Sequence, residues 1–270
     1  MSNNLLKGKK GIIFGALDSN SIAWKTALAC HEQGAEIMLT NAPVAMRMGE
    51  INKLAEQLNA PVVSCDVTSN TDMENLLTKA KEHFGGGVDF ILHSVGMSLN
   101  MRKGKHYTEI DYGFNAKTLD ISAVSLHRLL ATAMKMDAIN EWGSVVALTY
   151  IAAQRVFPDY NEMADAKALL ESVARSFGYF YATKKHVRVN TISQSPTRTT
   201  AGSGVKGFDG FINYAEKMSP LGNASAEDCA NFCVALFSDL TRMVTMQNLF
   251  HDGGFSFTGV TQQVIEQMEK

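Results

Sequence analysis

The chain has 270 residues, 46% of them hydrophobic and 19% charged, the balance of a globular protein with a sizeable buried core. Its 25 Lys and Arg stand against 27 Asp and Glu, a formal net charge of −2, so no electrostatic force draws it to a phosphate backbone and no nucleic acid partner is expected. The first residues lack the apolar run of a signal peptide and no stretch approaches the roughly 18 apolar residues of a membrane span, so a cytoplasmic protein that enters no membrane is expected.

The first strand is read at Gly11–Gly15 (GIIFG), followed by a loop in which Ser21-Ile22-Ala23 opens a helix over 21–34. The G-x-G-x-x-G fingerprint is absent. A Gly for a tight turn remains, with a helix start whose free N–H groups and positive dipole suit a pyrophosphate, although such a turn also serves structure alone. The second strand, Glu36–Thr40, runs into Asn41-Ala42-Pro43, with no acid to hold a ribose 2′-hydroxyl and no cation before Arg47. A 2′-phosphate wants a cation close by, so NADH is expected over NADPH. After a helix over 44–59, the third strand (Val62–Val67) carries Asp66 near its tip, placed to accept from an adenine amino group or to cap the following helix. That helix, over 70–84, opens on the N-cap cluster Ser69-Asn70-Thr71-Asp72.

The fourth strand (Val88–Gly96) ends on a glycine that lets backbone approach a flat ligand. A helical stretch over 110–139 leads to the fifth strand, Ser144–Tyr150, and another over 159–184 to the sixth, Val187–Ser195. A helix over 225–240 precedes the seventh strand, Asn248–Gly254, and carries Cys229 and Cys233 four residues apart. No further His or Cys nearby completes a metal site, so no metal is expected and these two are read as buried thiols. With Cys30 and Cys65 they make four cysteines, too few for a disulfide scaffold and in keeping with a reducing compartment. The strand centres are apolar on successive residues, as in strands covered on both faces. Strand–helix alternation throughout, with no low-complexity linker, gives an α/β fold. It is expected to be one doubly wound, Rossmann-type, seven-stranded parallel sheet with helices on both faces, in a single domain over 1–270.

In such a sheet ligands bind beyond the carboxyl ends of the strands. There Tyr150 stands at the tip of the fifth strand, and the next helix carries Tyr160 and Lys167. Seven residues make about two helical turns, so the pair is expected on one face, about 10 Å apart along the axis. Lys167 then suits a cofactor ribose, and the Tyr160 phenol a substrate oxygen that becomes anionic. The alternative is a boundary tyrosine and a solvated lysine.

Taken together, the chain resembles the short-chain dehydrogenase/reductase superfamily, and within it the NADH-dependent enoyl-acyl carrier protein reductases of type II fatty acid synthesis. The resemblance covers nearly the whole chain. It rests on Gly15-Ala16 with Ser21-Ile22-Ala23, Cys65-Asp66-Val67, His93-Ser94-Val95-Gly96 and Asp120-Ile121-Ser122. It continues through Tyr150, Tyr160-Asn161-x-Met163-x-x-Ala166-Lys167, Arg188-Val189-Asn190, Ser195-Pro196-Thr197-Arg198-Thr199 and Asp252-Gly253-Gly254-Phe255. Ketoreductases of the superfamily carry Tyr-x3-Lys, whereas the enoyl reductases carry the Tyr-x6-Lys seen at Tyr160 and Lys167. A Tyr-x3-Lys at Tyr181 and Lys185 lies just before the sixth strand, at the wrong end of the sheet.

The resemblance implies reduction of the carbon–carbon double bond of a trans-2-enoyl thioester by NADH, with acyl carrier protein as partner and a homotetrameric assembly. It implies catalytic roles for Tyr150, Tyr160 and Lys167. Cofactor contacts fall on Gly15, Ser21, Ile22, Asp66, Val67, Val95, Lys167, Thr197, Arg198, Thr199, Thr200 and Ala201, and a substrate contact on Ser98. A substrate-binding loop falls at about 201–219, with Phe208, Phe211, Ile212 and Tyr214 as apolar contacts. Ala42 stands where the family has a polar Gln, and Ser195 where it has Gly. The basic run Arg102-Lys103-Gly104-Lys105 is either solvated surface or a dock for an acidic carrier protein. The alternatives are a 3-ketoacyl reductase of the same superfamily and a non-catalytic NAD(H) sensor. The Tyr-x6-Lys spacing argues against the first and retention of both tyrosines and the lysine against the second.

Overall fold

The structure, a computed structural model, describes residues 3–47, 50–199 and 208–269. Among these residues seven strands form one parallel sheet: β1 (Lys10–Phe14), β2 (Glu36–Asn41), β3 (Val62–Ser64), β4 (Val88–His93), β5 (Ile139–Thr149), β6 (Arg188–Gln194) and β7 (Asn248–His251). The order is β3-β2-β1-β4-β5-β6-β7, so the winding reverses between β1 and β4 and opens a crevice at their carboxyl ends.

Successive apolar residues in each strand feed opposite faces. Ile12, Met38, Ile91, Val145 and Val189 pack with α4 (Asn70–Phe84), α7 (Ser125–Lys135) and α8 (Met163–Lys185), through Leu76, Leu77, Leu129, Leu130 and Leu170. Ile13, Leu39, Leu92, Val146 and Ile192 pack on the other face with α1 (Ile22–Glu32), α3 (Glu50–Leu58) and α10 (Ala226–Phe237), through Trp24, Leu54, Cys233 and Phe237. Each such side chain contributes about 1.5–3 kcal/mol by leaving water. The doubly wound sheet expected from the sequence is therefore present. All four cysteines are free and buried in it.

Helix α4 has the expected bounds: Ser69 Oγ accepts the Asp72 N–H (3.1 Å), and Gly85 ends it at φ 68°. Other expected bounds shift for identifiable reasons. The stretch 44–59 divides into α2 (Pro43–Met46), with proline in its first turn, and α3. The third strand pairs only through Ser64, and the fourth stops at His93. The fifth begins at Ile139. Val88 pairs with Ile139 but Phe90 with Ser144, and the extra residues bulge at Trp142, φ 61°. The stretch 110–139 consists of α6 (Tyr112–Leu119), a π turn over Asp120–Val124, and α7. A short helix, α5 (Leu99–Arg102), follows Ser98 after β4. The last predicted helix ends at Phe237, where Ser238 turns to extended backbone.

The expected helix over 159–184 is corrected where it matters most. Tyr160 closes a 3-10 turn, Pro158–Tyr160, and α8 begins only at Met163. Asn161 between them has φ 51° and ψ −146°, which breaks any continuous helix. Tyr160 and Lys167 therefore do not share a helical face. Beyond α8, α9 (Phe208–Met218) is the described part of the expected substrate-binding loop, and 201–207 lie outside the described residues. Helix α11 (Gln262–Met268) is tied to α9: Thr261 Oγ1 donates to Lys217 O and Lys217 Nζ to Gln267 Oε1, both 2.9 Å. No described helix is long and apolar enough to cross a membrane.

Candidate active site

At the crevice between β1 and β4, Gly15 has φ 92°, and a Cβ there would stand 2.0 Å from Ser94 O. Only glycine allows the two strand ends to approach so closely. Ser21 precedes α1 but does not cap it; its hydroxyl donates to Asp18 O (2.7 Å) and holds the loop closed. Ile22 is the first residue of α1, half-buried beside it.

Across the crevice, Gly96 faces the lysine: a Cβ on Gly96 would lie 3.8 Å from Lys167 Nζ and 4.0 Å from Ser122 Oγ. Ser122 belongs to the π turn, accepts the Met97 N–H (3.0 Å) and so fixes the segment after β4. π turns recur at functional sites, where one extra residue re-aims a helix. Val95 is half-buried against the core. Lys167 is buried and donates to Leu148 O (2.8 Å), which leaves two ammonium hydrogens for a ligand. Burial pushes its pKa down to about 8, partly opposed by the carboxylate of Glu171. Glu171, one turn on, accepts from Thr149 Oγ1 (2.9 Å), Asn248 Nδ2 (3.1 Å) and Gln154 Nε2 (3.1 Å), and so joins the end of β5 to the start of β7.

Past the end of β5 the rings of Tyr150 and Tyr160 meet, 5.0 Å apart and tilted by 46°. Burial holds both phenols above the ordinary tyrosine value, so each is an uncharged O–H donor at neutral pH. The Tyr150 hydroxyl is buried without a hydrogen-bond partner, an arrangement that costs free energy until a ligand supplies an acceptor. Tyr160 is aimed by Asn161, whose Nδ2 donates to Lys105 O (2.7 Å) and whose Oδ1 accepts the Glu162 N–H (2.9 Å). These bonds sustain a backbone conformation disfavoured by about 1–3 kcal/mol. Phe157, Phe211, Phe250 and Phe255 complete an apolar wall; Phe211 of α9 lies 5.8 Å from Tyr150 and 5.0 Å from Phe157.

The remaining predicted positions divide. Asp66 is exposed beyond β3, with Oδ1 accepting from the Thr68 amide (2.9 Å) and hydroxyl (2.7 Å). Val67 is buried and its carbonyl accepts from Arg128 Nη1 (2.8 Å). Ser98 does not offer its hydroxyl to the crevice: it is 2% exposed, caps α5 and donates to Glu162 Oε1 (2.6 Å). Thr197 Oγ1 donates to Ser195 O (2.9 Å), Arg198 is exposed and pairs with Asp209 of α9, and Thr199 is half-buried. Thr200 and Ala201 lie outside the described residues. The second Tyr-Lys pair is structural: Tyr181 donates to Leu130 O (2.9 Å), and Lys185 pairs with Asp137 (2.6 Å) near the start of β5.

Several side chains escaped the sequence reading. Arg128 joins Val67 O to Asn70 Oδ1 (3.0 Å) and Asp120 (2.9 Å), so one guanidinium ties the loop after β3 to the π turn. His93 is buried, and burial with the nearby Lys167 charge pushes its pKa down to about 3, so the ring is neutral. Its Nε2 meets Ser125 Oγ at 2.9 Å. Glu162, fully buried, accepts from Ser98 and from Thr118 Oγ1 (2.9 Å) and joins α5, α6 and the start of α8. An arginine or a glutamate at such positions looks like a solvated helix charge in a sequence.

A family profile described as enoyl-(acyl carrier protein) reductase matches residues 15–256. An enoyl-[acyl-carrier-protein] reductase [NADH] 2 of Rhizobium meliloti (strain 1021) is 33% identical over 261 residues, 96% of this chain and 95% of that protein. The enoyl-[acyl-carrier-protein] reductase [NADH] FabI of Rickettsia bellii (strain RML369-C) is 35% identical over 262 residues, 96% of this chain and 98% of that protein. Among solved structures, a FabI–NADH complex from Alistipes finegoldii superimposes with a TM-score of 0.95 at 64% identity, over 96% of this chain and 91% of the other.

Proposed function

The chain belongs to the enoyl-(acyl carrier protein) reductase family, and on that premise we infer that Tyr150, Tyr160 and Lys167 form its reaction centre. It is an NADH-dependent enoyl-[acyl carrier protein] reductase, reducing the C2=C3 bond of a trans-2-enoyl thioester in fatty acid elongation. NADH, when bound, supplies the hydride. The residues present fit such a group: Gly15 lets the ends of β1 and β4 close up at the crevice, Gly96 keeps the approach to Lys167 free of a Cβ, and Lys167 has hydrogens to give.

In this reading Gly15, Ser21 and Ile22 face the pyrophosphate, Asp66 and Val67 the adenine, Val95 and Lys167 the ribose, and the segment from Thr197 the nicotinamide end. A hydride added at C3 would leave negative charge on the thioester oxygen, and a proton added at C2 would then complete the saturated thioester. Tyr160, held as a neutral donor, gives that oxygen a hydrogen bond that strengthens as charge develops. Lys167 holds the ribose hydroxyls and sets a positive charge beside the phenol. Tyr150 orients the thioester from the other side, and Phe157, Phe211 and Phe255 keep water from the acyl chain. Arg102, Lys103 and Lys105, all exposed, form a basic face for an acidic carrier protein, and the Asn161–Lys105 bond ties that face to the Tyr160 turn.

The observations that support this reading are the packed rings of Tyr150 and Tyr160, with the Tyr150 hydroxyl unpartnered, and a buried Lys167 that faces Gly96. Its test follows NADH absorbance with a crotonyl thioester. Tyr160→Phe is expected to bind NADH as before and to lose about 100-fold in turnover. Unchanged turnover would remove Tyr160 from the mechanism, and consumption of NADH with a 3-ketoacyl thioester alone would reassign the reaction.

A further inference from the structure

Gln194 closes β6, directly paired in the sheet with His251, which closes β7. It is 4% exposed, and both ends of its amide are hydrogen-bonded. Oε1 lies 2.7 Å from His251 Nδ1. Nε2 faces Ala224 O at 3.1 Å, Ser225 O at 3.3 Å and Thr197 Oγ1 at 3.4 Å. The two backbone carbonyls only accept, so the amide nitrogen must face them, and the amide oxygen must accept from a proton on His251 Nδ1. The His251 ring in turn stacks on Phe232 of α10 (5.0 Å, 13°) and cannot swing without breaking that contact. Next along the chain, Ser195 Oγ accepts the Ala224 N–H (3.0 Å) and Ser195 N donates to His251 O (3.1 Å). One amide thus fastens the start of the segment leaving β6 to β7 and to the turn before α10.

We infer that Gln194, backed by His251, is a positioning residue for the nicotinamide end of the cofactor: it sets the course of Ser195–Thr199 at the mouth of the crevice. The inference rests on the reading that the segment from Thr197 holds that end. Gln194 itself touches neither substrate nor cofactor in this account. The titratable group in contact with Gln194 is His251, and the charged groups acting on His251 are Asp252 from the β7 side and Asp228 from α10. Asp252 is held by Gly254 N (3.1 Å) and Ser256, and Asp228 by the Ser225 cap (2.9 Å).

The test titrates NADH, and separately ADP-ribose, which lacks the nicotinamide, into the full-length protein carrying Gln194→Met or Gln194→Glu. Methionine keeps the length and loses every hydrogen bond. It is expected to weaken NADH about tenfold and to leave ADP-ribose unchanged within about twofold. A carboxylate has no hydrogen to offer the Ala224 and Ser225 carbonyls, whereas a carboxylic acid has one. Burial at this position favours the neutral acid and raises its pKa, so the Gln194→Glu protein is expected to bind NADH progressively more weakly as pH rises and that carboxyl ionises, relative to wild type at each pH. That dependence remains a test should the methionine variant fail to fold, and a role confined to holding the fold together would not produce it. Equal losses for NADH and ADP-ribose, or unchanged NADH binding with no pH dependence in Gln194→Glu, would overturn the proposal. Failure of the wild-type protein to bind NADH would instead overturn the cofactor reading beneath it.

Discussion

Lys167 is asked to carry charge where burial opposes charge. With its pKa pushed down to about 8, the ammonium is the major form at neutral pH and is lost as pH rises through that value. The folded group lies below its ordinary 10.5, so the sign is unambiguous: the protonated, ligand-holding form belongs to the lower side of pH 8. NADH affinity, measured by titration at fixed ionic strength, is expected to weaken as pH rises past about 8. Lys167→Arg, whose guanidinium stays charged, should flatten that profile even if overall affinity falls. The spacing of Tyr160 and Lys167 was legible in the sequence, but the turn that separates them was not. Asn161 at φ 51° breaks the helix between them, stabilised by Lys105 O from another loop, and no local pattern announces a contact across 56 residues. Gln194 and Arg128 were invisible for the same reason: most of their partners, backbone carbonyls and side chains alike, lie far along the chain.

Helix α9 shows how an element reaches the chemistry without supplying any. It lays Phe211 over Tyr150 and Phe157, with Ile212 buried behind, as the aromatic run in the predicted substrate-binding loop suggested. Phe211→Ala should raise KM for a long-chain enoyl thioester about tenfold while leaving KM for NADH near wild type, the loss expected for one aromatic contact in an apolar pocket. An equal rise in both KM values would place Phe211 outside the acyl site. The strands and α4 were read well because two-sided burial and an N-cap serine write themselves into consecutive residues. The π turn over Asp120–Val124 was not, since a π turn and an α turn draw on the same residue types. The bulge at Trp142 was missed because it depends on the register with β4.

At the scale of the whole molecule, the strand order follows from chain connectivity rather than from any motif: parallel neighbours joined by right-handed crossovers leave few ways to wind seven strands. That winding puts α6, α7 and α8 on one face, and these helices expose large aromatic side chains. Tyr112 is 81% exposed, and Tyr179 and Phe180 are each 58% exposed. Exposed aromatics on neighbouring helices mark surfaces that meet other chains. We propose that they assemble the homotetramer implied by the family resemblance. Sedimentation velocity at micromolar concentration should give four times the chain mass, and Phe180→Asp should lower it; a monomeric wild-type protein would contradict this.

The hydrogen bonds between Lys217 and α11 reach further than their position suggests. They make the last helix a strut for the helix that carries Phe211, so the placement of that ring answers to Gln267, 56 positions downstream of it. With Phe211 lining the proposed acyl site, chain selectivity is expected to respond to substitutions that never meet the chain. A search for its determinants confined to the neighbourhood of Tyr160 would pass over Gln267, which is one hydrogen bond away from the helix that carries Phe211.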